Sequence, residues 1–267
     1  MSTGAIIFAF DGDIQYTQIA QECARRIKQH LNIPVTLITN AVRTYSGFDN
    51  QILVEGPNYA SVRSWADCDT SVTWRNGGRC DALELSPYET TLLVDADYWI
   101  EDDTLQCLLE ADGDLYAHNT RQYINETAPK TETFGLLKTK MWWATVVVFR
   151  KTSFTADVFD VWRMVEQNYK HYSQLFQFQR KPFRNDYALS LALLLCNGNL
   201  YPTECAIPWP LINVPDNCSI DYTQNVWTVG YDVYESGELK PKQVKLKDQN
   251  LHVMGKRNLE KLLELHR

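Results

Sequence analysis

The first forty residues alternate strand, helix and strand, and nothing else in the chain restricts the fold as much. Ala5 to Phe10 is an apolar run that stops at Asp11, Gly12 and Asp13. Ala20, Cys23, Ala24, Ile27 and Leu31 then recur at helical spacing, and Pro34 to Asn40 supplies the next strand. Strands joined through a covering helix lie parallel in one sheet, so the opening predicts an α/β fold with a central, mostly parallel sheet flanked by helices.

The same reading continues along the chain. A third strand is predicted at Ile52 to Val54, and a short helix at Cys80 to Leu85 follows a polar stretch over 63–79. Thr91 to Val94 is a buried strand that runs directly into Asp95, Ala96 and Asp97. Strands follow at Asp114 to His118 and Ala144 to Phe149, and helices at Phe154 to Tyr169 and Tyr187 to Cys196. A hairpin is predicted within Val226 to Tyr234, then a last strand at Asn250 to Met254 and a terminal amphipathic helix.

With 267 residues and 45% hydrophobic content the chain has the material for one large core, and a single domain is expected. No window reaches the roughly 18 consecutive apolar residues of a membrane helix, and no basic segment precedes the first apolar run, so a soluble cytoplasmic protein is expected. Cys23, Cys68, Cys80, Cys107, Cys196, Cys205 and Cys218 show no metal-site spacing and read as small buried hydrophobes. The net charge of −7 argues against broad adhesion to nucleic acid, yet residues 238–267 carry eight Lys and Arg against four Asp and Glu. Such a segment suits either a phosphate-bearing ligand or a solvated face.

The chemistry concentrates at Asp95 and Asp97. Two carboxylates at the end of a buried strand lie, in an open α/β sheet, at the crevice where ligands bind. Hard divalent cations take oxygen ligands, and Mg²⁺ or Mn²⁺ commonly bridges one or two carboxylates to substrate phosphates. A D-x-D triplet is also ordinary turn chemistry, so its context matters.

That context, Pro87, Tyr88, Glu89 and Thr90 leading into Thr91 to Asp97, resembles GT-A glycosyltransferases, and the glycogenin-like family in particular. At the far end His252, Val253, Met254, Gly255 and Lys256 resemble the His-x-x-Gly-x-x-Lys-like element that closes the site in that family, except that Lys256 directly follows the glycine. The resemblance implies one GT-A, Rossmann-like domain over 1–267 with a small antiparallel element, its 1–118 half binding a nucleotide-sugar and its 119–267 half the acceptor. It implies that Asp95, Asp97 and His252 ligate Mn²⁺ or Mg²⁺ on the diphosphate of a nucleoside-diphosphate-sugar, a UDP-sugar by preference, and that Ala96, Gly255 and Lys256 line that site. Ala9, Phe10, Asp11 and Asn40 would meet base and ribose, and Arg79 the donor phosphate or sugar.

Asp186 resembles the family's aspartate facing the reacting sugar, and is read as catalytic. It would be a base in an inverting reaction or a sugar contact in a retaining one, and helix capping accounts for it equally. The likeness around His252 favours retention. Trp142 and Trp143, which replace the family's usual Asn-Ser-Gly-containing strand, and Arg184 are expected to meet the acceptor, although core packing is the commoner fate of tryptophan.

Arg163, Lys170, Arg180, Lys181 and Arg184 interleave with Tyr169, Tyr172, Phe176, Phe178 and Phe183, the ingredients of a nucleic-acid surface. The compact chain is also similar to glycosyltransferases of tailed bacteriophages, some of which decorate hydroxymethylcytosine in DNA. Hydroxymethylated DNA is therefore the leading acceptor expectation, beside a saccharide or protein. Other function classes compete. Asp11-Gly12-Asp13 after a strand, with Thr39 and Asn40, also resembles haloacid dehalogenase-type phosphatases, in which Asp11 would be the nucleophile, though Gln15 stands where they carry threonine. A nucleotidyltransferase would want a glycine-rich basic loop after the first strand. A third possibility is a non-catalytic nucleotide-sugar-binding protein of the same fold.

Overall fold

The computed structural model describes residues 2–54, 62–64, 71–73, 77–200, 202–235 and 237–265. The chain runs β1 (Thr3–Phe8), α1 (Tyr16–Leu31), β2 (Val35–Thr39), β3 (Asn50–Leu53), β4 (Val62–Ser64) and β5 (Ser71–Thr73). It continues with α2 (Ala82–Leu85), β6 (Thr90–Val94), β7 (Tyr98–Trp99), α3 (Gln106–Glu110), β8 (Leu115–His118), β9 (Arg121–Tyr123), β10 (Thr133–Phe134), β11 (Thr139–Lys140) and β12 (Trp143–Arg150). The remainder is α4 (Ser153–Gln167), α5 (Tyr169–Leu175), α6 (Asn185–Cys196), β13 (Leu211–Val214), β14 (Ser219–Thr223), β15 (Val226–Glu235), β16 (Glu238–Lys247), β17 (Leu251–Val253) and α7 (Lys256–Leu265).

The fold is mixed α/β around a six-stranded sheet ordered β3-β2-β1-β6-β12-β8. Its first four strands are mutually parallel, as the opening alternation requires, and β12 and β8 are antiparallel to their neighbours. β2 and β6 are buried at every position, which is why both read as unbroken apolar or threonine runs instead of alternating ones. α1 presents Ile19, Ala20, Cys23, Ala24, Ile27 and Leu31 to the core, and ends at Asn32 in the left-handed conformation that asparagine tolerates. β12 comes from the part of the chain beyond residue 118 yet lies between β6 and β8, so the main sheet does not divide at 118.

A second sheet, β7-β17-β13-β9, is fastened to α1 by a buried ionic group. The Arg26 guanidinium lies 3.8 Å from the Trp99 ring centroid and 2.5 Å from Glu101 Oε1. Glu101 also accepts from the Trp227 indole at 3.2 Å and the Tyr222 hydroxyl at 3.1 Å. A charge pair this deep survives because nearly every lone pair has a donor. It ties α1, β7, β14 and β15 into one block and holds β7 in place for β17.

Several sequence expectations change. The predicted hairpin within Val226 to Tyr234 is a single strand, β15, flanked by β14 and β16 in a three-stranded antiparallel sheet. On β16 Lys240, Lys242, Lys245 and Lys247 are exposed along the edge, and Lys242 pairs with Glu235, so half the basic charge of the closing segment is the solvated face that commonly blunts an edge strand. Four of the five aromatic residues proposed for base stacking face inward, and Tyr172 is half-buried. Tyr169, Phe176, Phe178 and Phe183 are buried; Phe178 packs on Phe134 and Tyr187, and Tyr169 on Phe183. Arg163 is paired with Asp81, Glu84 and Asp160. The nucleic-acid surface read from this segment is therefore absent as a stacking platform. Cys23, Cys80, Cys205 and Cys218 are buried as expected, Cys107 is exposed, and Cys68 lies outside the described residues.

Candidate metal centre

β1 has β2 on one side and β6 on the other, so the carboxyl ends of β1 and β6 meet where the sheet order reverses, the crevice in which open α/β sheets bind ligands. Val94 is level with Ile7 of β1 and Val146 of β12, so the chain enters Asp95 from a strand held on both edges. The Asp95 N–H donates to the Thr145 carbonyl at 2.9 Å, and the Tyr98 N–H donates to the Asp95 carbonyl at 3.0 Å. That second bond closes a turn. Residues i and i+2 of an extended strand face opposite ways, and the turn is what lets two such carboxylates serve one site.

His252 arrives through the second sheet. β17 runs antiparallel to β7 with His252 opposite Tyr98, and the Val253 N–H donates to the Asp97 carbonyl at 2.9 Å. Ligand atoms of Asp95, Asp97 and His252 lie within 4.8 Å of one another, the one such grouping of acids, histidines and cysteines among the described residues. His252 Nε2 is 3.5 Å from Asp97 Oδ2, and Lys256 Nζ, at the start of α7, is 2.7 Å from the same oxygen. Arg79 donates to Asp95 Oδ1 at 2.6 Å and to the Ala144 carbonyl at 2.5 Å.

The two acids are tuned in opposite directions. Burial raises both carboxyls. At Asp95 it prevails over the opposing charge of Arg79, and Asp97 adds repulsion, so Asp95 stands above the ordinary carboxylate range. At Asp97 the charges of Lys256 and His252 overcome burial and hold the group well below that range. Asp97 Oδ2 is buried, its close neighbours being the Lys256 ammonium and the His252 ring. Two carboxylates, an imidazole and an oxygen so placed fit a divalent cation of the Mn²⁺ or Mg²⁺ type, and the imidazole suits Mn²⁺ better.

The other residues singled out in the sequence fall into three groups. Asp186 is brought to the site: its field reaches Asp95, its Oδ1 accepts from the Ala144 N–H at 2.9 Å, and its Oδ2 lies 2.6 Å from Arg184. Asp11, beyond β1, accepts from the Thr17 N–H at 2.8 Å and hydroxyl at 2.6 Å and from Tyr45 at 3.2 Å. Both its oxygens are thereby occupied in holding the start of α1, which is poor geometry for a phosphatase nucleophile. Ala9, Phe10 and Ala96 are buried, Asn40 is exposed just past β2, and Gly255 leads into α7.

Arg79 and Trp142 are both buried. Arg79 is 1% exposed and braces Asp95 and the β12 backbone at the Ala144 carbonyl. Trp142 is also 1% exposed, and its N–H donates to Ser190, so this ring packs α6 against β12 and offers no stacking face to an acceptor. Trp143 is buried as well, with Arg184 5.5 Å from its ring centroid.

Tyr16 and Asn213 belong to the site and were not read from the sequence. Burial pushes the Tyr16 phenol up against the pull of Lys256, and Asp97 and Asp95 add to the rise, which places it in the same field. Asn213 Oδ1 is 2.7 Å from His252 Nδ1. A cleft of about 640 Å³ between α1, Tyr222 and Leu263 touches none of these groups; its walls include Arg25, already paired with Glu22, and Arg26, already paired with Glu101. The converging ligands, not cavity size, mark the candidate centre.

His118, fully buried on β8, gives the fold a pH dependence. Burial pushes its imidazole down to about 4, and Nδ1 is 3.0 Å from the Trp209 carbonyl. Between that value and the ordinary histidine range the unfolded chain binds a proton that the folded chain does not. Stability is therefore fully present above about pH 6.5 and is lost as pH falls towards 4, by about 3 kcal/mol in all. Thermal melts from pH 7 to 4 should show this slope in the native chain and a shallower one in His118→Gln; equal slopes would remove His118 as the cause.

No family model matches the chain, and no curated protein matches it. Solved structures matching in fold include an active-site mutant of LgtC, at 15% identity over 65% of this chain and 70% of that one, with a TM-score of 0.43. The apo glycosyltransferase GlyE of Streptococcus pneumoniae TIGR4 matches at 13% identity over 78% of this chain and 45% of its own, with a TM-score of 0.41. S. aureus TarS 1-349 matches at 13% identity, over 72% of this chain and 55% of that one, with a TM-score of 0.38. Likenesses of this degree say nothing about the chemistry, which rests on the residues themselves.

Proposed function

We propose that the chain is a metal-dependent glycosyltransferase of the GT-A type, moving a sugar from a nucleoside-diphosphate-sugar, preferably a UDP-sugar, to a hydroxyl acceptor with retention. One observation carries this reading: Asp95, Asp97 and His252 converge at the strand-order reversal of an α/β sheet, with a lysine in contact. Asp95, Asp97 and His252 would hold Mn²⁺ or Mg²⁺. Such an ion, when bound, screens the negative charge that develops on a leaving diphosphate.

The chain's own groups supply the rest. In the transfer the bond from the sugar's anomeric carbon to the diphosphate oxygen breaks, its electron pair leaves with the diphosphate, and the acceptor oxygen bonds to that carbon as its hydroxyl proton passes to the departing diphosphate oxygen. Lys256 would meet the departing phosphate by charge, a role its contact with Asp97 supports. Asp186, fixed at one oxygen by the Ala144 N–H and at the other by Arg184, suits a contact to the donor sugar's hydroxyls better than a mobile base, and this supports retention. The hydroxymethylcytosine acceptor loses its aromatic platform, so a saccharide or protein hydroxyl is preferred over DNA. No helix among the described residues is long and apolar enough to cross a membrane.

The test is a nucleoside-diphosphate release screen across donors with Mn²⁺ or Mg²⁺, run with saccharide, protein and hydroxymethylated DNA acceptors. Release that one donor and one acceptor support, and that chelator abolishes, bears the reading out. Binding of donor without release under any acceptor would favour a silent binding protein. Phosphate release from phosphomonoesters that depends on Asp11 and survives loss of His252 would favour the phosphatase.

A further inference from the structure

His252 is the only proposed ligand that arrives from a separate sheet, and a neutral imidazole can coordinate through either nitrogen, whichever lacks the proton. The structure settles which nitrogen faces the acids: Nε2 is 3.5 Å from Asp97 Oδ2, while Nδ1 is turned away and lies 2.7 Å from Asn213 Oδ1. That contact follows from the ladder. β13 pairs with β17 in parallel register with Asn213 opposite His252, and the Asn213 carbonyl accepts the Ile124 N–H at 3.0 Å, so the asparagine's backbone is fixed too. Asn213 is 2% exposed, so water does not compete for its amide oxygen.

We propose that Asn213 is the positioning residue of the candidate metal centre: its amide oxygen accepts the Nδ1 proton of His252 and thereby leaves the Nε2 lone pair directed at the space beside Asp97. Without such a partner a neutral imidazole distributes its proton between the two nitrogens, and the ring rotates about its own bonds. With the proton on Nε2 the ring would present N–H to the cation space, satisfying Asp97 but offering no ligand. The inference rests on the reading of Asp95, Asp97 and His252 as a metal site, and it adds an orienting group of the kind that tunes ligating histidines in general.

The test has two readouts. The first is the tautomer of His252 in the metal-free chain, read from imidazole ¹⁵N shifts, which also report whether the ring is neutral. The native chain should show the Nδ1–H form; Asn213→Leu should shift it towards Nε2–H, and Asn213→Asp, which keeps an acceptor oxygen, should restore Nδ1–H. The second is the affinity for Mn²⁺ alone, from the loss of the free-ion paramagnetic resonance signal. Asn213→Leu should weaken it about 10- to 100-fold, and Asn213→Asp should not. An Nε2–H tautomer in the native chain overturns the proposal with no variant needed, as does Asn213→Leu with native Mn²⁺ affinity. Should Asn213→Leu fail to fold, an Asn213→Asp chain that folds yet loses the Nδ1–H form overturns it equally. A native chain with the Nδ1–H form that binds no Mn²⁺ supports the tautomer assignment while sinking the metal reading, so the two failures are distinguishable.

Discussion

An Asp97→Asn chain is expected to fold normally and to lose donor turnover by about 10³-fold, about 4 kcal/mol of transition-state stabilisation. Asparagine keeps the size of the side chain and the Asp97 backbone carbonyl that receives the Val253 N–H, so β17 still docks. What disappears is the charge. Asp97 is the acid held ionised, below the ordinary range despite its burial, whereas Asp95 is raised. Removing Asp97 therefore removes the carboxylate charge that Lys256 and His252 hold at the centre, and Mn²⁺ affinity should fall with turnover.

Asp95→Asn should behave differently. Its partner Arg79 is 1% exposed and cannot reach water, so a buried guanidinium is left facing a neutral amide. Breaking such a pair costs about 3 kcal/mol or more, so this variant should lose stability along with metal binding. Lys256, at 27% side-chain exposure, has a way out to solvent when Asp97 is neutralised. Chemical denaturation of the two variants beside Mn²⁺ titration separates the roles. Comparable destabilisation in both, or Mn²⁺ affinity and turnover that survive Asp97→Asn, would end the assignment of Asp97 as the principal ligand.

How far the site could be read in advance depended on what kind of signal placed each residue. The Asp95 and Asp97 pair was legible because a fully buried strand announces itself as an apolar run, and the residues that end it must lie at the sheet's edge. His252 was legible only by likeness to a known arrangement, since no local pattern tells which strand a remote histidine will pair with. Asn213 carried no signal of its own: nothing local to an asparagine between Pro210 and Pro215 pairs it with a remote histidine, and its proposed role arises from the parallel β13 and β17 register. Arg79 and Trp142 are buried for a common reason. A single arginine or tryptophan in a sequence reads as a ligand group, but the side chain's fate is decided by packing. Arg79 is drawn under Asp95 by charge, and Trp142 fills the space between β12 and α6. The aromatic and basic run over 163–184 failed similarly, because its rings alternate into a cluster around Tyr187 that no one-dimensional count distinguishes from a stacking surface.

Lys256→Met should change metal and nucleotide affinities in opposite directions. In this structure the ammonium stands 2.7 Å from Asp97 Oδ2, and although burial disfavours its charge, Asp97 outweighs that and raises its pKa. The lysine thus occupies one side of the same oxygen that a divalent cation would need, and a cation entering there must compete with it. Two like charges about 4 Å apart repel by about 4 kcal/mol at the effective dielectric of a protein surface. The partial exposure of Lys256 lowers the net effect to about 1 kcal/mol. Methionine keeps the stem and removes the competitor, so Mn²⁺ should bind the nucleotide-free variant about fivefold more tightly, the equivalent of about 1 kcal/mol. The same change removes the ammonium that, on the proposed function, would meet the diphosphate, so affinity for a nucleoside diphosphate should fall, and turnover by about 10²-fold or more. A resonance titration with Mn²⁺ alone and calorimetry with UDP read the two effects separately. Weaker Mn²⁺ binding without nucleotide would show that Lys256 assists the cation instead of opposing it. Unchanged UDP affinity would remove the lysine from the diphosphate site, and with it the link between α7 and the leaving group.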